Sequence, residues 1–185
     1  MALVESMDIP LGSEMPAFHL ADAQGQYFDS RDCFGPKGLL VVFTCNHCPY
    51  AIAQWPRFIG LAERAKNIGI NSVAINPNIH PAYPQDAPAM MLELCADLGI
   101  RFPYLVDAQQ QTARAFRAQC TPDPYLFDRD ARLVYHGRLD DHWQDEQGVK
   151  RRELLEAIET LAAGGELSRV QKPAMGCSIK WVSSL

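Results

Sequence analysis

The stretch Gly38-Leu39-Leu40-Val41-Val42-Phe43-Thr44 runs without a charge straight into Cys45-Asn46-His47-Cys48, and past Cys48 the spacing of apolar residues changes. A near-continuous run of β-formers is the mark of a strand covered on both faces, which belongs inside a sheet. Beyond it Ile52, Trp55, Ile59 and Ala62 recur at steps of three and four, the period of a helix. Pro49 suits a first helical turn, whereas Pro56 predicts a kink or a split. Two cysteines three residues apart therefore sit where a buried strand hands over to a helix. This one feature restricts the chain to folds built on strand–helix–strand units.

The remaining elements follow from the same periodicities. Residues 17–20 and 27–28 around the turn Gln24-Gly25-Gln26 predict an N-terminal hairpin. Ile70 to Asn76 predicts a second strand, and a polar, proline-rich loop follows to Pro88. A helix through Met91, Leu94 and Leu98 closes at Gly99. Tyr104 to Val106 reads as a short strand and Ala108 to Gln119 as a short helix. Asp123 to Asp128 and Arg132 to His136 form a hairpin about Arg129-Asp130-Ala131. A last helix covers Val149 to Ala163, and the final twenty residues show no period. The expected class is α/β, a mixed central sheet flanked by helices. The chain reads as one domain over 1–185, with an N-terminal extension over 1–37, a core over 38–163 and a tail over 164–185.

Composition excludes several functions. The 185 residues are 48% hydrophobic and 21% charged, with 17 basic against 22 acidic side chains for a net charge of −5. A dedicated nucleic-acid binder would show a basic surplus, so no nucleic-acid partner is expected. The longest aliphatic and aromatic run, Leu39 to Phe43, is too short for a bilayer. The opening Met1-Ala2-Leu3-Val4-Glu5-Ser6 has neither a basic nor an apolar leader segment, so a cytoplasmic protein without a membrane partner is expected. Of six cysteines, four stand singly at 33, 95, 120 and 177. That spacing is no disulfide framework, and a single tight pair points to thiol chemistry or metal.

A helix N-terminus supplies unpaired N–H groups and a positive dipole end, both of which stabilise a thiolate. On this basis Cys45, at the end of the turn, is expected to be the more exposed sulfur and the nucleophile, with Cys48 resolving the mixed disulfide. A partly protonated His47 between them would favour the thiolate further and make the pair more oxidising. Packing alone is the bland alternative. A structural zinc site would need a second ligand pair, which is absent, and Pro49 stands where haem attachment needs histidine. No cofactor and no metal are expected. Cys120-Thr121-Pro122 stands just before a strand, where a proline breaks pairing; a cis proline or a turn proline explains it. Cys120 beside it is weighed as a redox or substrate-contact residue against a small buried filler, and Cys177 as a third redox partner or a docked tail residue. Cys33 and Cys95 read as packing. Asp140-Asp141-His142-Trp143 reads as a loop turn or cap and not as a metal site, His19, His80 and His136 as structural or exposed, and Arg151-Arg152-Glu153 as a solvated face.

Phe43-Thr44-Cys45-Asn46-His47-Cys48-Pro49, with Thr121-Pro122 before Tyr125-Leu126-Phe127-Asp128, resembles the thioredoxin superfamily. More narrowly, the chain resembles the peroxiredoxin-like thioredoxin-family proteins grouped with the alkyl hydroperoxide reductase/thiol-specific antioxidant (AhpC/TSA) domain. The closer signs are Tyr83-Pro84-Gln85-Asp86, Phe102-Pro103-Tyr104-Leu105, Gly137-Arg138-Leu139-Asp140-Asp141 and Gly176-Cys177-Ser178-Ile179-Lys180-Trp181. The resemblance implies a thioredoxin fold with an N-terminal extension and an insertion before the second helix. It also implies a dithiol/disulfide site at Cys45 and Cys48, with Thr44, Asn46, His47, Pro49 and Thr121 around it and Pro122 as a cis proline beside it. The implied partners are a disulfide-bearing protein or small molecule, or a hydroperoxide, and a cellular thiol reductant. Leu39 stands where thioredoxins carry a buried acid, so proton transfer must use water or another group. Val41 and Cys45 stand where true peroxiredoxins carry proline and threonine. Three activities stay open: thiol–disulfide exchange, peroxide reduction through a sulfenic acid, and Cu(I) carriage by Cys45, Cys48 and a nearby histidine.

Overall fold

The computed structural model describes residues 3–182. Met1 and Ala2, the head of the segment read for a leader, and positions 183–185, the end of the tail, lie outside the described residues.

The buried run becomes β4 (Gly38–Phe43), every residue of it buried. Its neighbours are β5 (Ile70–Asn76), β6 (Tyr104–Val106), β8 (Asp123–Asp128) and β9 (Leu133–His136). β8 lies antiparallel between β4 and β9, and β5 pairs parallel with β6. The Thr44 amide donates to the Ile75 carbonyl at 2.9 Å, tying the end of β4 to β5. Successive strand residues point to opposite faces, and the core divides accordingly. Leu40, Val42, Ala74 and Leu126 pack with Trp55, Phe58, Met91, Leu154 and Ile158 from α1 (Pro49–Asn67), α2 (Pro88–Leu98) and α4 (Glu153–Ala162). Leu39, Val41, Phe43, Val73, Ile75 and Phe127 pack on the other face with Ala113 of α3 (Gln111–Ala115), Phe116, Met15 and Phe18. Each such side chain contributes roughly 1.5–3 kcal/mol of burial free energy. A strand apolar on both sides is what this two-faced arrangement requires.

The N-terminal hairpin forms as expected, with β2 (His19–Ala21) antiparallel to β3 (Tyr27–Asp29). Several expectations are corrected. Pro56 does not split α1, which continues for 19 residues. Both Pro56 and Ile52, whose carbonyl loses its helical partner, face solvent, where water satisfies the carbonyl. α3 is shorter than the predicted 108–119 because Gln110 and Arg117, at φ 59° and 57°, bracket it in left-handed conformations. α4 starts at Glu153, not Val149, since the Lys150 and Arg151 amides donate to the Asp141 carboxylate at 2.8 and 3.1 Å. Pro124 lies inside β8 opposite Val42, but β9 pairing begins only at Tyr125, so no β9 residue pairs with it.

The largest correction concerns the tail. Met175–Ser178 is a strand, β10, held antiparallel between β1 (Leu3–Glu5) and β7 (Cys120–Thr121). Cys177 is thereby paired with Leu3 on one side and Thr121 on the other. Residues beyond it are tied down too: Gln110 donates to the Lys180 carbonyl at 2.8 Å, and the Val182 amide donates back to the Gln110 side chain at 2.8 Å. The unpredicted β10, held by an equally unpredicted β1, brings Cys177 to the cysteine pair.

Candidate active site

β4 delivers Cys45 to the top of the sheet, and Cys48 caps α1 with extended backbone angles (φ −75°, ψ 123°). Pro49 occupies the first helical position, where a missing N–H costs nothing. The Cys48 carbonyl takes the Ile52 amide at 2.9 Å and the Cys45 carbonyl takes the Trp55 indole N–H at 3.3 Å, locking the turn onto the helix. Across the turn, the peptide bond Thr121–Pro122 is cis, as the resemblance implied. The Thr121 hydroxyl lies 3.3 Å from the Cys45 sulfur, and the Cys48 thiol donates to the Thr121 carbonyl at 3.2 Å.

Both sulfurs are fully buried, at 0% exposure, which corrects the expectation that Cys45 is the more exposed. Cys177 and Ala51 complete a small apolar cluster with them, and Tyr50 packs over it. Tyr50 in turn rests on Trp143, ring centroids 3.9 Å apart. The cover is anchored by Arg57, which is buried in an ion pair with Asp140 at 2.6 Å and donates to the His142 and Trp143 carbonyls at 2.9 and 2.6 Å. Asp140-Asp141-His142-Trp143 is therefore a loop tie.

The two sulfurs are shifted in opposite directions. The Cys45 thiol donates to Cys48, and against burial this, helped by the Cys177 thiol and the Ala51 amide, brings Cys48 down to about 5. Only a protonated Cys48 can use the Thr121 carbonyl, which works the other way. Burial pushes Cys45 well above the ordinary thiol value, and its bond to Cys48 and the Asp86 charge add to this. Cys48 is the residue at the helix cap, so the lowering falls on it and not on Cys45.

A buried acid comes from the proline-rich loop. Asp86 ends the short turn Pro84–Asp86 and is wholly buried. Its carboxylate accepts the Asn46 amide at 2.6 Å and the Asn76 side chain at 3.1 Å, and it bonds His47 Nδ1 closely. Asn46 is held further by the Gln85 carbonyl and the Tyr104 hydroxyl, both at 2.9 Å. His47 stacks on Tyr83, centroids 4.5 Å apart, and its Nε2 is buried without a partner among the described residues. Sequence reasoning includes Tyr83-Pro84-Gln85-Asp86 only as a family sign. An acid in a proline-rich loop facing the cysteine turn is the signal that points to Asp86, and Asn76, Tyr104 and Trp55 carry none.

Ligand atoms of Cys45, His47 and Asp86 all lie within 4.8 Å of one another. The contact between His47 Nδ1 and Asp86 leaves no room for an ion between them, so a metal would have to break that bond. The Cys120 thiol donates weakly to the Pro122 carbonyl at 3.6 Å and is buried. Cys33 and Cys95 lie away from the site, and burial raises both thiols, Cys33 to about 11. His136 is buried against Asp123 at 2.8 Å, a structural pair next to the cis proline. A cleft of about 230 Å³ opens beside Pro122, lined also by Gln54, Pro124, Trp143 and Met175.

The sequence model of the AhpC/TSA family matches residues 11–136, more than half of the chain. The chain belongs to the AhpC/TSA family. Among solved structures, an uncharacterised conserved protein from Geobacillus kaustophilus superposes with a TM-score of 0.94 at 38% identity, over 100% of this chain and 99% of that one. The thiol-disulfide oxidoreductase ResA of G. kaustophilus (strain HTA426) is 25% identical over 130 residues, 70% of each chain. The thioredoxin domain of a thiol-disulfide oxidoreductase from Bacteroides vulgatus shares the fold, with a TM-score of 0.58 at 16% identity over 70% of this chain and 89% of that one. This AhpC/TSA chain thus has a thioredoxin fold, the mixed sheet and flanking helices predicted from its sequence.

Proposed function

We propose that the protein is a thiol–disulfide oxidoreductase whose Cys45 and Cys48 cycle between dithiol and disulfide. The observation that carries this reading is the cysteine pair at the start of α1, packed against the cis Thr121–Pro122 bond, with the Cys45 sulfur 3.3 Å from the Thr121 hydroxyl and the Cys48 thiol donating to the Thr121 carbonyl at 3.2 Å. The Cys48 thiolate attacks one sulfur of a substrate disulfide and releases the other as a thiolate. Cys45 then attacks Cys48, breaking the mixed disulfide and expelling the second substrate thiolate. Cys45 must shed its proton in that step, and His47 and Asp86 stand within 4.8 Å to receive it. A cellular thiol reductant restores the pair. The cleft beside Pro122 offers the substrate a place to lie. Six free thiols suit a reducing compartment, so the cytoplasm is the proposed location.

Complete burial of both sulfurs favours a second reading. A hydroperoxide is small enough to reach a site that a protein disulfide enters only after Tyr50 or β10 moves. Cys48 would displace the alcohol, becoming a sulfenic acid, and Cys45 would condense with it to the disulfide and water. Nothing in the geometry favours Cu(I) carriage over these, since His47 is committed to Asp86.

Turnover of a small model disulfide and of a hydroperoxide, measured side by side, tests both. Cys48→Ser is expected to lose either activity, whereas Cys45→Ser keeps the first step. Wild-type rates in Cys48→Ser would refute the assigned roles, and peroxide loss no faster than with free thiol would remove the second reading.

A further inference from the structure

Cys177 stands apart from the other cysteines outside the motif. It shares one small buried cluster with Cys45, Cys48 and Ala51. The position is built by the backbone on both sides. β10 pairs Cys177 with Thr121, the residue whose carbonyl accepts the Cys48 thiol and whose hydroxyl meets Cys45. Gly176, next to it, has no room for a side chain: a Cβ would come within 2.2 Å of the Thr121 carbonyl oxygen and 3.2 Å of the Pro122 nitrogen. That close approach seats β10 directly against the cis peptide bond. β1 holds its other edge, with Leu3 opposite Cys177. Cys48 therefore touches a thiol on either side, Cys45 from its own turn and Cys177 from the last strand.

We propose that Cys177 is a third redox-active thiol, exchanging with the Cys45–Cys48 disulfide at the Cys48 sulfur. The inference rests on the oxidoreductase reading above. The Cys177 sulfur attacks Cys48, the Cys48–Cys177 bond forms and the Cys45–Cys48 bond breaks. The proton of Cys177 passes to Cys45, and no electrons enter or leave, since one disulfide replaces another. Burial and the neighbouring Cys48 sulfur hold the Cys177 thiol up at about 12, so it waits protonated until a disulfide offers it a target. The exchange parks the oxidising equivalent on the strand that covers the site and returns Cys45 as a free thiol. The pair thereby becomes a three-sulfur relay centred on Cys48, and the chain's last strand reports the redox state of the site.

The test uses the full chain equilibrated with glutathione and glutathione disulfide, quenched in acid, alkylated and digested with trypsin. Cys45 and Cys48 share the tryptic peptide 38–57, Cys177 lies in 170–180 and Cys120 in 118–129, so a link to Cys177 joins two peptides of known mass. Cys45→Ser is expected to form one disulfide per chain, Cys48–Cys177, with loss of two thiols. Glutathione disulfide first forms a mixed disulfide on Cys48, and Cys177 displaces glutathione from it. Cys45→Ala keeps the test valid if the serine disturbs the fold, and is expected to give the same link. Cys177→Ser is expected to form only Cys45–Cys48, and Cys48→Ser no internal disulfide. A Cys48–glutathione adduct beside a free Cys177 in both Cys45 variants would overturn the relay while the wild-type Cys45–Cys48 link left the oxidoreductase reading intact. A Cys45–Cys177 link in Cys48→Ser would overturn the central place of Cys48. A wild-type chain that loses no thiols at any ratio would overturn both.

Discussion

Replacing Cys45 by alanine removes the largest influence holding the Cys48 sulfur ionised. Cys48 stands at about 5, chiefly because the Cys45 thiol donates to it. A hydrogen bond to a charged acceptor is worth roughly 1.5–3 kcal/mol, or about one to two pH units of titration midpoint. Cys45→Ala should therefore move the midpoint of Cys48 up to about 6–7, with the Cys177 thiol and the Ala51 amide still in place. At pH 6 the thiolate fraction would fall from about 90% to roughly 10–50%, a change read directly from absorbance near 240 nm. The absorbance needs no reagent to reach a buried sulfur. Other thiols do not interfere, because Cys33, Cys95, Cys120 and Cys177 are all raised by burial. The sign is fixed: a thiolate lost on alanine substitution must appear as a rightward shift of the first absorbance step. An unchanged midpoint in Cys45→Ala would mean that Cys45 does not stabilise the Cys48 thiolate, and the assignment of the resting charge would fall with it.

Two other substitutions probe what surrounds the pair. Asp86→Ala orphans the Asn46 amide, the Asn76 side chain and His47 at once, and at roughly 1–3 kcal/mol for a buried unpaired group it should cost about 2–5 kcal/mol in a denaturant titration; Asp86→Asn, which keeps one acceptor oxygen, should cost less, and an alanine variant as stable as wild type would refute the role. Gly176→Ala puts a Cβ within 2.2 Å of the Thr121 carbonyl, so β10 must shift and roughly 1–3 kcal/mol should be lost; an unaltered denaturation midpoint would show that β10 is not seated as described.

The elements legible in the sequence are those whose signal is local. Gly38–Phe43 announces itself as a central strand because both of its faces are covered, and Gly99 closes α2 in a left-handed conformation at φ 67°. The cis bond before Pro122 is legible only through the resemblance to the thioredoxin superfamily, since a proline at a strand entry fits a turn as well as a cis bond. What escaped depends on contacts between distant residues. Met175–Ser178 is too short to show a period, and only Leu3–Glu5 and Cys120–Thr121 make it a strand. Asp86 acquires its role from Asn46, 40 residues earlier. The spacing shows that both cysteines lie near a helix start, but only the chain path shows that Cys48 is the cap.

The most direct test of the central claim is the fate of the first oxidising equivalent. Fully reduced wild-type protein, given a substoichiometric amount of a small disulfide or hydroperoxide and quenched within seconds, should lose about 2 Da, and thiol mapping should place that loss first within peptide 38–57 as Cys45–Cys48. Cys33, Cys95 and Cys120 should remain free in those chains. Oxidation that begins at those cysteines, with Cys45 and Cys48 both still reduced, would contradict the account.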